Sequence, residues 1–309
     1  MLGAIIGDTV GSVYEFNNIK TTNFPFFGFG CNYTDDSIMT MAVAEWLVQD
    51  PDHKLDTLED CMVRMAKQFP CPMGGYGGGF NRWLFHPDEV NNYDESRKSS
   101  TKSLTDVLGE MDIDHEEKTI KRRPYNSWGN GSAMRASAVG WMFDTLEETE
   151  RVAKISAEIT HNHPEGIKGA QATAAAIFMA RNGKSKDEIR NYISTTYGYN
   201  LARTCDDIRP VYHWESSCQG TVPEAIVAFL DSTDFESAIR LAVSLGGDSD
   251  TLACITGGIA EAFYKEIPAD IAKTMWNKLP EKFKEIIKSV ESRSDYRLPD
   301  DLDDKTIPC

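Results

Sequence analysis

Gly246-Gly247-Asp248-Ser249-Asp250-Thr251, running straight into the apolar stretch Leu252–Tyr264, is the segment from which the rest of the chain can be read. Two glycines allow a tight turn, after which Asp248, Asp250 and Thr251 converge at a helix N-terminus. Capping that helix takes one acid; a second acid and a hydroxyl go beyond a cap. Thr34-Asp35-Asp36 repeats the design near the other end, ahead of an apolar run to Leu47. Read alone, it also fits an N-cap box with acids favoured by the helix dipole. Carboxylates gathered in one pocket repel by roughly several kcal/mol unless a counter-charge is present. If the fold joins the motifs, a hard divalent cation such as Mg²⁺, Mn²⁺ or Ca²⁺ is the natural neutraliser, because the donors are all oxygens.

Between the motifs, helical periodicity dominates. Three-to-four spacing predicts helices over 36–47, 55–68, 147–159, 166–181, 221–230, 235–245, 252–264, 269–279 and 281–290. Alternating strand patterns are nearly absent and no solenoid repeat is visible. Ala172–Ala180 is apolar nearly all round, as a central buried helix would be. Three stretches read as loops: glycine-rich 70–80, polar 88–123 with a short helical run at 104–108, and 199–217 with its aromatic and acidic cluster. The acidic tail beyond Ser292 reads as loose. Because the two acidic motifs flank the helical body, closing a shared site needs most of the chain. The expectation is therefore a compact, single-domain all-α helical bundle over 1–292, followed by an acidic C-terminal tail over 293–309.

Composition narrows the function. The 309 residues carry a formal charge of −16 and a pI near 4.8, which opposes general nucleic-acid binding and docking on anionic membrane. No stretch reaches the roughly 18 apolar residues of a membrane span. The N-terminal MLGAIIGDTVGSVY lacks the basic region of a signal peptide. Seven scattered cysteines without a CxxC pair point to a reducing, cytoplasmic setting.

Further residues extend the candidate site. Gly7-Asp8 through Glu15 adds two acids among small residues, where Gly7, Gly11 and Ser12 permit close helix packing; a buried Glu15 would need a partner or a metal, and a surface Glu15 would not. Ser127-Trp128-Gly129-Asn130-Gly131 is a turn before a helix, able to present N–H groups to an anion or to be an ordinary loop. The same two readings hold for Tyr76-Gly77-Gly78-Gly79-Phe80. His161 and His163 flank a helix start with Pro164; beside oxygen donors, hydrogen bonding to a substrate suits them better than metal ligation. Lys118, Lys121, Arg122 and Arg123 form a basic run, either a solvated face or a lure for an anionic ligand.

Taken in order from residue 3 to 264, these motifs resemble the ADP-ribosylglycohydrolases, a family that includes the dinitrogenase reductase-activating glycohydrolase and the ADP-ribosylarginine and ADP-ribosylserine hydrolases. The resemblance rests on Gly3–Asp8 with Glu15, Thr34-Asp35-Asp36, Tyr76–Phe80, Gly129-Asn130-Gly131 with Met134-Arg135, His161, and Gly247–Thr251. It implies an all-α fold with two Mg²⁺ (or Mn²⁺) held by Thr34, Asp35, Asp36, Asp248, Asp250 and Thr251. It also implies Glu15 or Asp36 as general base, and Gly77, Gly78, Gly79 and Phe80 along a diphosphate. Ser127, Trp128, Gly129 and Asn130 would hold ribose and diphosphate, with His161 nearby. Trp128 stands where some members carry tyrosine, keeping the ring and losing a hydroxyl. The implied partner is an ADP-ribosylated protein, on arginine or serine, or a small ADP-ribosyl conjugate. Two other readings remain: a hydrolase of another ribosyl conjugate, and a non-catalytic member with a degraded site, as in a lens crystallin of the wider family. Competent residues at every matched metal position oppose the second.

Overall fold

Helices begin where the chain supplies a cap and an apolar stripe, and the computed structural model describes residues 1–88, 122–300 and 302. In chain order the helices are α1 (Leu2–Gly11), α2 (Asp35–Gln49), α3 (Leu55–Gln68), α4 (Gly78–Phe85), the short α5 (Gly131–Met134) and α6 (Val139–Met142), α7 (Leu146–Glu158) and α8 (Pro164–Arg181). They continue with α9 (Lys186–Tyr197), the short α10 (Cys205–Ile208), α11 (Cys218–Asp231), α12 (Phe235–Ser244), α13 (Ser249–Tyr264), α14 (Ala269–Lys278) and α15 (Glu281–Glu291). Among the described residues there is no strand, only isolated bridges at Thr34–Met73 and Gly129–Ser217.

Local chemistry sets the starts. Thr34 accepts from the Asp36 amide at the head of α2, and Thr145 from Glu148 at α7. Ser185 with Glu188, and Asp234 with Ser237, close reciprocal capping boxes at α9 and α12. Caps of this kind contribute about 1 kcal/mol each.

Packing then orders the body around α8 and α13. Pro164 opens α8, and its small residues from Ala170 to Ala176 are buried apart from Gln171. Every residue of α13 from Ser249 to Ala262 is buried. Along α13 lies α1, itself wholly buried. Gly3, Gly7 and Gly11, four apart, share one face of α1. A Cβ at those positions would sit 2.5 Å from the Gly257 carbonyl oxygen, 1.9 Å from that of Ala253 and 2.4 Å from that of Ser249. The two backbones therefore touch directly, which sets Asp8 and Glu15 beside the start of α13.

The all-α single-domain expectation is borne out, and several local readings need correction, among them the 199–217 loop, which contains α10. The 70–80 loop ends early, because α4 starts at Gly78. The tail is not loose at its start: Tyr296 is fully buried, its ring 5.0 Å from that of Trp141 and its hydroxyl donating to Glu261 at 2.9 Å. Helix α9 was not anticipated at all. The expected run at 104–108, with Lys118 and Lys121, lies outside the described residues.

Candidate active site

The starts of α2, α4, α5 and α13 and the segment after α1 meet around a cavity of about 390 Å³. Glu15, Asp35, Asp36, Asp248, Asp250 and Thr251 line one part of it. Gly77, Gly78, Gly79, Phe80, Ser127, Gly129, Asn130 and His161 line the rest. The two acidic motifs, more than 200 residues apart, thus share one site.

Two expected residues sit elsewhere. Thr34 is buried beneath the floor, where its hydroxyl donates to Asp8 Oδ1 at 2.7 Å. The Trp128 ring is outside the cavity, half exposed and 5.6 Å from the ring of His163. Ser127 and Gly129 on either side of it line the cavity, and the Gly129 amide donates to the Ser127 hydroxyl at 3.1 Å. That segment is fixed by bonds from the Cys218 amide to the Trp128 carbonyl and from the Asn130 amide to the Ser216 carbonyl, both 2.8 Å.

Several contacts that hold the site together join residues far apart in the sequence. Asp8 accepts from the Thr34 amide at 2.9 Å and the Ser37 amide at 3.1 Å, and also from the Ser37 hydroxyl. It thereby acts as a buried anion docking the start of α2 onto α1. Asn18 exchanges two hydrogen bonds with Gly247, at 2.7 and 2.9 Å, and donates to the Glu15 carbonyl at 2.9 Å. Gly246 and Gly247 take left-handed φ of 72° and 71°, the turn that only glycine makes cheaply. Asn130 Nδ2 donates to Asp248 Oδ2 at 2.8 Å. At the rim, exposed Phe16 and Trp214 stack with centroids 5.5 Å apart.

The electrostatics of the acid cluster are unbalanced. Glu15 is pushed up to about 7, first by burial and then by Asp248 and Asp8. Asp8 rises to about 6 through burial, against its hydrogen bonds from Ser37 and Thr34. Burial followed by neighbouring carboxylates also holds Asp35, Asp36 and Asp250 well above the usual carboxylate range. Among the described residues no Lys or Arg forms an ion pair with any of these acids. Asp36 Oδ1 is buried with no hydrogen-bond partner, a costly state for a carboxylate oxygen. One carboxylate oxygen each from Glu15, Asp248 and Asp250 lie within 4.8 Å of one another, a group able to hold a metal ion. The orphaned oxygen, the oxygen-only donors and the unpaired charge all fit a hard cation.

The same cavity is also lined by a helix start. Gly77 caps α4 without a side-chain hydrogen bond, so the amides of Gly78, Gly79 and Phe80 open the helix toward the cavity. Free amides at a helix start attract anions.

A helical fold built round this cavity is that of a known class: the chain belongs to the ADP-ribosylglycohydrolase family, whose sequence profile matches residues 1–302. With that family it is a glycosidic-bond hydrolase. Among its relatives, ADP-ribosylhydrolase ARH3 of Bos taurus is 25% identical, the match covering 85% of this chain and 83% of the relative. ADP-ribosylarginine hydrolase Tri1 of Pseudomonas putida is 24% identical, covering 85% and 69%. An uncharacterized protein of Archaeoglobus fulgidus is 31% identical, covering 87% of each. A solved structure described as an ADP-ribosylglycohydrolase-related protein complex shares the fold, with TM-score 0.62, 20% identity and coverage of 94% and 95%. No described helix is long and apolar enough to cross a membrane.

Proposed function

We propose that this chain cleaves the C1″ glycosidic bond of ADP-ribose attached to an arginine or serine side chain, releasing free ADP-ribose. One observation carries the reading: a single cavity is lined both by metal-competent carboxylates and by open helix-start amides, negative and positive partners for one ligand. A ligand with a diol next to the scissile bond and a diphosphate further along matches that polarity.

Asp35, Asp36, Asp248, Asp250 and Thr251 would hold two Mg²⁺, or Mn²⁺, with Thr34 steadying Asp36 from below. When bound, such cations neutralise the acid cluster and act as Lewis acids on ligand and water oxygens. The protein's own groups do the rest. The amides of Gly78, Gly79 and Phe80 fix the diphosphate, and Ser127, Gly129 and Asn130 line the path between the diphosphate and the acids. Glu15 or Asp36 takes the proton from the attacking water, which requires either carboxylate to be ionised, and the departing arginine or serine group takes up one proton as the C1″ bond breaks. Glu15, held near 7 without a cation, ionises readily once the neighbouring negative charge is neutralised.

The test is release of ADP-ribose from arginine- and serine-modified proteins, with Mg²⁺ and with EDTA. Release in Mg²⁺, its loss in EDTA, and a drop of ~100-fold or more in Asp248→Ala are expected. No release from either substrate despite cation binding would turn the assignment toward another ribosyl conjugate or a binding protein.

A further inference from the structure

His161 lies just past α7, 4% exposed, with its ring edge on the cavity. Its Nδ1 is 2.7 Å from the hydroxyl oxygen of Thr160. Thr160 is fully buried, and the same oxygen accepts from Arg135 Nη2 at 2.9 Å. Arg135, also fully buried, is anchored by a second bond from Nη2 to the Ser156 carbonyl at 2.8 Å.

Proton accounting then assigns every role. A guanidinium only donates, so its bond consumes a lone pair of Thr160. The hydroxyl has one proton, and among the described residues His161 Nδ1 is the remaining hydrogen-bond partner of that oxygen. Aiming the proton elsewhere would leave a buried donor unsatisfied. Nδ1 is therefore the lone-pair nitrogen, and Nε2 carries the ring hydrogen. Burial, followed by the charge of Arg135, holds His161 well below its ordinary pKa, in agreement with a neutral ring. Nε2 has no hydrogen-bond partner among the described residues. It faces the gap left by two glycines, where a Cβ on Gly129 or Gly131 would stand 3.6 or 3.2 Å away.

We propose that Arg135 and Thr160 are positioning residues that lock His161 as a neutral Nε2–H donor aimed into the cavity at a ligand oxygen. Resting on the function proposed above, that oxygen is a hydroxyl or phosphate oxygen of ADP-ribose. The opposite tautomer would turn a lone pair toward the ligand, which repels a phosphate oxygen and forces a hydroxyl to donate instead of accept. An imidazolium would set a second buried cation beside Arg135.

Nitrogen-15 NMR of the wild-type imidazoles at pH 7 tests the lock without substrate, with the His161 signals assigned by their loss in His161→Gln. The expected result is an unprotonated Nδ1 and a protonated Nε2. Thr160→Val removes the hydroxyl at nearly constant volume. It should release the tautomer and weaken ADP-ribose binding, measured calorimetrically, about five- to tenfold, while Thr160→Ser should restore both. An Nδ1–H tautomer or a cationic ring in the wild type overturns the proposal, even should Thr160→Val fail to fold. So does a Thr160→Val protein with wild-type tautomer and affinity. A locked tautomer in a wild-type protein that binds no ADP-ribose would uphold the relay and sink the function reading instead.

Discussion

Replacing Gly7 with alanine adds one methyl group where α1 and α13 meet backbone to backbone. Its Cβ would lie 1.9 Å from the Ala253 carbonyl oxygen, against the 3.4 Å at which ordinary contact begins. The helices would have to part by about 1.5 Å, since the obstructing atom is main chain and cannot rotate away. Alanine returns about 1 kcal/mol through helix propensity. Overpacking costs about 1–3 kcal/mol where side chains can yield and more where they cannot. A net loss of ~2 kcal/mol or more is expected, lowering Tm by roughly 3 °C or more for a chain of this size. Gly258→Ala on α13 is the control. Its Cβ would meet the Ser137 hydroxyl at 3.2 Å and the end of Ile177 at 3.4 Å, both side-chain atoms able to shift. That variant should be unchanged or up to about 1 kcal/mol more stable. Calorimetric melts of the two variants decide the matter, with Mg²⁺ titration as a second readout. Displacing α1 carries Glu15 away from Asp248 and Asp250, so Gly7→Ala should also bind Mg²⁺ more weakly. Equal melting temperatures for wild type and Gly7→Ala would refute the direct-contact argument.

Two further outcomes follow from the same structure. Glu15 and Asp8, held near 7 and 6 against ordinary values of 4.5 and 3.8, keep protons that the unfolded chain releases. Raised carboxylate values therefore remove stability as pH climbs from about 4 through about 7. In EDTA the protein should lose stability over that window and Mg²⁺ should restore it. The Mg²⁺-induced rise in Tm should grow between pH 5 and 7.5, and a rise independent of pH would contradict the unbalanced cluster. Tyr296→Phe removes a 2.9 Å bond to Glu261 and a 3.2 Å bond from the Leu2 amide. A denaturant melt should show a loss of about 1–3 kcal/mol with the activity of folded protein unchanged; an unchanged midpoint would mean that the segment after α15 is not tied to the core.

What the sequence revealed follows the range of the forces involved. Helices with broad apolar stripes, such as α3 and α8, were legible because burial imposes a 3.6-residue period. Helix α9 escaped because only Ile189, Ile193 and Tyr197 are buried along it; its Ser185–Glu188 capping box was the available signal. Helix α1 is three-tenths glycine, a composition that local propensity reads against, and its helicity depends on contact with α13. The acids at 34–36 and 248–250 were legible because each motif is contiguous. The work of Asp8 and Asn18 was not, since their partners are set by tertiary contact. Trp128 shows a finer limit: a motif places a residue on a loop, while tertiary contacts, here with His163, decide where its ring lies.

The pairing of α1 with α13 also governs when this protein becomes what it is. During synthesis the first helix emerges with three glycines and no partner, and about 240 residues must follow before Ser249–Tyr264 arrives. Chains whose decisive contacts span such distances fold late and keep apolar surface open meanwhile. Until Thr251 emerges, the carboxylates at 248 and 250 are missing from the cavity, so the residues proposed to hold a cation cannot yet meet.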